Sequence, residues 1–168
     1  TPVLKKNGKI RPVAAGEALR RLAGKGVARA QAQELAEAAG PRQYGVGTPG
    51  GTEALCHAAQ VEATRAPQDA WVALDMRNCF NSLDREAVLT AARARAPGLV
   101  PYARLFLGRR SRYRYLGTAG SGEALVADQG VDQGDPLAPA LLAVTICDPL
   151  ERLEHRLQEL AGLPAAEG

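Results

Sequence analysis

Between Ala127 and Val144 the chain reads ADQGVDQGDPLAPALLAV, and this stretch narrows the possible folds more than any other. Gln-Gly occurs twice, at Gln129-Gly130 and Gln133-Gly134, and is followed by Asp135-Pro136 and Pro139. Glycine adopts backbone conformations closed to other residues and lets another group approach the main chain. Asp is a favoured helix N-cap, and Pro suits the first helical turn, where an N–H has no intrahelical partner. The stretch therefore reads as a tight loop leading straight into a helix start, with Asp135 as the cap. Gln133 is left at the mouth with an amide that can donate and accept. This is loop chemistry for holding a ligand against a helix N-terminus.

The rest of the chain supplies a mixed set of elements. VLKKNGKIRPV reads as a hairpin, because Asn7-Gly8 suits a two-residue type I′ turn. That turn sets Lys6 opposite Lys9 with Arg11 on the same face, where like charges repel unless an anion sits among them. Residues 17–39 read as a helix stopped by Gly40-Pro41, with its weakest point at Gly24 and Gly26. QYGVGTPGG is a glycine-rich loop without the Gly-Lys-Ser/Thr of a phosphate loop. Thr48-Pro49 then looks like the cap and first residue of a helix running to about residue 65. AWVALDM, residues 70–76, reads as a buried strand with Asp75 at its C-terminal end. SLDREAVLTAARARA is a helix capped at Ser82 or Asp84, and a further helix covers about 101–107. SRYRYLGTAGSGEALVAD reads as a second hairpin. There Arg112 and Arg114 share one face and Tyr113 and Tyr115 the other, so the arginines either grip a nucleic-acid backbone or are simply solvated. The last helix starts near Asp135-Pro136, with Pro149 kinking or dividing it.

Size and composition set limits. The chain has 168 residues, 32 of them alanine, with only two Phe and one Trp, so large core anchors are few. A thin core, and a start at Thr1 without Met, fit a piece of a larger protein. Residues 1–30 carry eight Lys or Arg against the single Glu17, while the remainder is slightly acidic. A basic lobe on an acidic body suits a phosphate-rich partner. Cys56, Cys79 and Cys147 fit neither zinc spacing nor a disulfide framework, which points to free thiols in a reducing, intracellular compartment. No signal peptide or long apolar span is present, so no membrane partner is expected.

QGVDQGDPLAP resembles the motif by which reverse transcriptases of non-long-terminal-repeat retroelements and group II introns support the incoming nucleotide. Three further stretches resemble that family in the family's order. KKNGKIRPVAAGEALRRLAGK is similar to its fingers hairpin, QYGVGTPGGTEAL to its glycine-rich loop and helix, and LDMRNCFNSL to its Asp-bearing palm motif. The resemblance covers about residues 4–150. It implies an α+β polymerase right-hand fold, with fingers over 1–68, a partial palm over 69–168, and no thumb.

The resemblance also implies roles. Asp75, helped by the Met76 backbone carbonyl, would hold Mg²⁺ for two-metal nucleotidyl transfer. Phe80 would lie under the sugar and exclude a 2′-hydroxyl. Arg11 would bind the triphosphate, as a guanidinium fork suits phosphate oxygens. Lys5 would assist Arg11, whereas the two-residue turn puts Lys6 on that face. Gln133 and Gly134 would meet the nucleotide or template. Arg20 and Arg21 are candidates for template contact, with a solvated helix face the better reading for at least one. The implied partners are an RNA template, a DNA primer, deoxynucleoside triphosphates, and the rest of a palm and thumb.

One departure matters. The family's other two carboxylates form an adjacent Asp-Asp pair, and this sequence has none. Its end at Gly168 falls about where that hairpin is expected. The chain alone is therefore expected not to polymerise DNA. The competing reading is a non-catalytic remnant that binds nucleic acid through its basic lobe. An RNA-synthesising relative fits less well, because Phe80 is too bulky beside a ribose.

Overall fold

Seven helices and two small hairpins make up the described part of the computed structural model, which covers residues 2–4, 10–12, 16–41, 43–116 and 122–162. In chain order these are β1 (Pro2–Leu4), β2 (Ile10–Pro12), α1 (Ala18–Ala30), α2 (Ala32–Ala39), α3 (Gly51–Arg65), α4 (Cys79–Ser82) and α5 (Arg85–Arg95). A 3₁₀ turn at Pro97–Leu99 leads to α6 (Val100–Leu107), β3 (Ser111–Leu116), β4 (Gly122–Ala127) and α7 (Ala138–Ala161). Each hairpin is a separate two-stranded antiparallel sheet. The coarse expectation of an α+β chain fits. No helix among the described residues is long and apolar enough to cross a membrane.

The N-terminal half of α7 is the spine of the core. Leu137, Leu141 and Val144 pack with Val88 and Leu89 of α5, Leu99 of the 3₁₀ turn, Tyr102 and Leu107 of α6, and Leu35 of α2. Ala92, Ala96 and Ala103 are fully buried, so the helices approach closely through small side chains instead of interlocking large ones. That is how an alanine-rich chain with few aromatics closes a core. Asp84 caps α5 as expected, accepting a hydrogen bond from the Ala87 amide at 2.7 Å. Arg95 of α5 reaches Asp148 and Glu151 of α7. Pro149 neither ends nor divides α7, which runs unbroken to Ala161.

Several boundaries differ from the sequence reading. The helix expected over 17–39 breaks at Gln31, not at its glycines. Gly24 serves packing: a Cβ there would come within 2.8 Å of the Tyr102 hydroxyl and 3.3 Å of the Pro136 ring. Helix α3 begins at Gly51, not at Thr48-Pro49, because the Thr48 hydroxyl turns back to the Gln43 carbonyl at 3.2 Å instead of capping a helix. Gly51 lies so close to the loop before it that a Cβ would fall 1.8 Å from the Tyr44 carbonyl oxygen.

The largest correction concerns residues 70–76. They form no strand and are not buried; Trp71, Val72 and Leu74 are 61, 79 and 69 % exposed. A strand needs a neighbour for its N–H and C=O groups. Among the described residues no backbone hydrogen bond engages this segment. The expected buried strand is therefore not formed.

Candidate functional site

The two Gln-Gly pairs do different jobs. At the first, the Gly130 amide donates to the Leu83 carbonyl at 2.7 Å and the Val131 amide to the Phe80 carbonyl at 2.8 Å. These bonds dock the loop on α4 and the residue that follows it. Gly130 has φ +79°, and a Cβ there would sit 2.6 Å from the Asn81 carbonyl oxygen. No other residue fits without moving backbone.

The second pair forms the tip of a turn. The Asp135 amide donates to the Asp132 carbonyl at 3.0 Å, and Gly134 has φ +129°. Both flanking carboxylates are gripped by one guanidinium. Arg20 of α1 donates through Nη1 to Asp132 at 2.9 Å, and through Nε and Nη2 to Asp135 at 3.0 and 2.7 Å. The Tyr102 hydroxyl donates to Asp135 at 3.0 Å, and the Tyr113 hydroxyl donates to Asp132. Arg20 stacks on the Phe106 ring, 4.4 Å from its centroid. The other Asp135 oxygen accepts from the Leu137 amide at 2.9 Å and closes the turn before α7; the helix itself starts at Ala138 with Leu137 in the N-cap position, so Asp135 braces the turn instead of capping the helix as expected. Gln133 is thus held at both flanks while its own amide makes no hydrogen bond among the described residues.

This network shifts its members' protonation. Burial, and then the Asp135 charge, push the Tyr102 hydroxyl up to about 12. Burial and the hydrogen bond to Asp132 push Tyr113 in the same direction. Burial opposes the Arg20 charge, but the hydrogen bond with Tyr102 and the Asp135 carboxylate outweigh it, so that pKa rises. A phenol whose pKa is raised on folding stabilises the fold fully below its ordinary value near 10. That stability is lost as pH rises through the folded value of about 12. Urea unfolding at increasing alkalinity should show falling stability in that window. Tyr102→Phe should flatten part of the slope, leaving the Tyr113 share; an unchanged slope would contradict the network.

Arg85, at the start of α5, is the second support. It is buried and donates to the Gly130 carbonyl (3.0 Å), the Arg109 carbonyl (2.8 Å) and the Ser111 hydroxyl (2.9 Å). It fixes the loop to the entry of β3 without any carboxylate partner.

Phe80 is half-buried against the edge of the core, on α4, one backbone hydrogen bond from the Gln133 loop. Asp75 and Met76 are exposed in the segment before it. The chain reverses at Asn78, which has φ +50°. Burial, and then the Asp75 charge, raise the Cys79 thiol, whose Sγ lies 3.9 Å from the Met76 sulfur. Among the described residues no three His, Cys, Asp or Glu side chains cluster as metal ligands. Asp75 and one carbonyl do not by themselves fit a two-Mg²⁺ site.

Arg20 and Arg21 separate: Arg20 is the clamp, and Arg21 is exposed. Arg112 and Arg114 are exposed on β3. Lys5 and the Arg11 side chain lie outside the described residues. The pairing of β1 with β2 does correct the first turn: Leu4 pairs with Ile10 and Val3 with Arg11. A two-residue Asn7-Gly8 turn would pair Leu4 with Arg11.

Sequence reasoning missed Asp132, Tyr102 and Arg85. The alternation of β3 put Tyr113 on the face away from its arginines, but nothing local showed that Asp132 was its partner. Comparison with family models, curated proteins and solved structures finds no match for this chain.

Proposed function

We propose that the chain is the fingers and partial palm of an RNA-directed DNA polymerase of the non-long-terminal-repeat or group II intron type. The observation that carries this reading is the backbone pairing of Phe80 with Val131 and of Leu83 with Gly130. Two segments fifty residues apart in sequence, each resembling a nucleotide-site motif of that family, meet through their main chains. In this reading the Phe80 ring rejects a 2′-hydroxyl and the clamped Gln133 contacts the nucleotide or the template. Arg11 with Lys5 receives the triphosphate, and Arg21 faces the template. Mg²⁺ would be held by Asp75 and the Met76 carbonyl together with carboxylates from outside this chain. The unpaired apolar segment 70–76 is the edge to which such a palm sheet would add.

The chain on its own then binds nucleotide without joining it to a primer. The lone Asp75 favours, as the second reading, a remnant that binds nucleic acid only. Equilibrium dialysis with dATP and ATP separates the two. The polymerase reading expects dATP to be favoured by roughly tenfold or more, as expected for steric rejection of one extra group. Phe80→Ala should bring ATP binding up towards that of dATP. Equal affinity in the wild type would remove the sugar-gate role of Phe80.

A further inference from the structure

We infer that Arg104, Arg109, Arg110, Arg112 and Arg114 form a second nucleic-acid surface, separate from the Gln133 loop, that takes a single strand by its phosphates. The orientation of β3 is fixed from its inner side. The Tyr113 hydroxyl is bonded to Asp132, and the Ser111 hydroxyl accepts from Arg85 at 2.9 Å. Alternation then turns Arg112 and Arg114 outward, and both are exposed. Opposite them on β4 stand Val126 and Ala124, also exposed. Arg110 immediately precedes the strand.

Side chains on one face of a strand repeat every ~6.6 Å. That is comparable to the distance between successive phosphates of an extended nucleic-acid strand. One residue before the row, Arg109 and Arg104 flank an open groove of about 590 Å³ whose other walls are Val100, Pro101 and Leu105. Its size and apolar lining suit an unstacked base, with a guanidinium at each side for the flanking phosphates.

Clustering without pairing sets this group apart, since Arg21, Arg29, Arg77 and Arg152 also lack a side-chain partner among the described residues but are scattered along the chain. Arg20, Arg93 and Arg95 all meet carboxylates within 4 Å. None of the five side chains in this group has an ion-pair or hydrogen-bond partner among the described residues. Asp128, one step beyond the ladder, makes no ion pair with any of them. Five unpaired guanidiniums within eleven residues repel one another until a polyanion lies along them. The exposed Leu105 and Val126 favour a single strand over a duplex, because a duplex hides its bases. Tyr113 faces the other way, so contact is through phosphate and apolar surface and tolerates any sequence.

The test is fluorescence anisotropy of the whole chain with a labelled mixed-sequence RNA of about 20 nucleotides, long enough for several contacts, across a salt series, with the matching duplex as a second arm. The triple variant Arg109→Gln, Arg112→Gln, Arg114→Gln should reduce the slope of log affinity against log salt by about 2, since each single-strand phosphate contact contributes about 0.7. Affinity at low salt should fall at least about tenfold, by the same counterion-release argument. The triple Lys variant should keep most of the slope. An unchanged slope in the Gln variant overturns the inference, as does tighter binding of the duplex with the same arginine dependence. Preference for dATP over ATP should be the same in all three proteins, so loss of the polymerase reading and loss of this surface are separately visible.

Discussion

Arg20→Ala should lower the stability of the chain by about 3 kcal/mol, the usual cost of removing one partner from a buried ion pair. Asp135 is the reason. Its side chain is 5 % exposed, and without Arg20 a carboxylate stays in a desolvated site with only the Tyr102 hydroxyl and the Leu137 amide to stabilise it. Asp132 loses its cation at the same time, and α1 loses its only guanidinium contact with the Phe106 ring. Arg20→Lys should recover part of the loss, because an ammonium keeps the charge but cannot reach both carboxylates with a planar fork. Urea denaturation measures both. A loss below about 1 kcal/mol, the size of an exposed ion pair, would show that Arg20 is not the clamp.

Gly130→Ala should be at least as damaging, by a different route. A left-handed backbone costs a residue with a Cβ roughly 1–2 kcal/mol. The new Cβ would also meet the Asn81 carbonyl oxygen at 2.6 Å and its carbonyl carbon at 2.8 Å, and these are backbone atoms that cannot swing aside. The loop must leave α4, losing the bonds to Leu83 and Phe80 and loosening the Arg85 contact. Each lost bond costs about 1 kcal/mol, which brings the total to about 4 kcal/mol. Amide exchange at Gly130 and Val131 should accelerate together. Gly26→Ala is the control: nothing lies within 4 Å of a Cβ there, so the helix should gain up to about 1 kcal/mol. Equal effects at the two glycines would mean that the loop does not rest on α4.

The local elements were legible where one residue decides them. Asp84 capped its helix, and the alternation of β3 separated Arg112 and Arg114 from Tyr113, whereas α7 began three residues after the expected Asp135 cap. What failed depended on partners distant in sequence. The buried strand expected at 70–76 is not formed: alternation and apolar content cannot supply the neighbouring chain whose N–H and C=O groups a strand needs, and no such pairing exists among the described residues. The break in the first long helix came at Gln31, because Gly24 is held helical by packing on Tyr102 and Pro136. At the loop, the sequence marked Gln133 and the glycines but not their support. Arg20, Tyr102 and Tyr113 meet at the turn from positions 19 to 115 residues away, and no local pattern encodes that.

The proposed nucleotide site is tested most directly by following the Gln133 side-chain amide in a ¹⁵N-labelled chain as dATP and then ATP are added. Shifts are expected at Gln133, Gly134 and the Phe80 amide with dATP, weaker shifts with ATP, and equal responses to both in Phe80→Ala. Shifts confined to the arginines of β3, or responses to dATP and ATP that are already equal in the wild type, would contradict it.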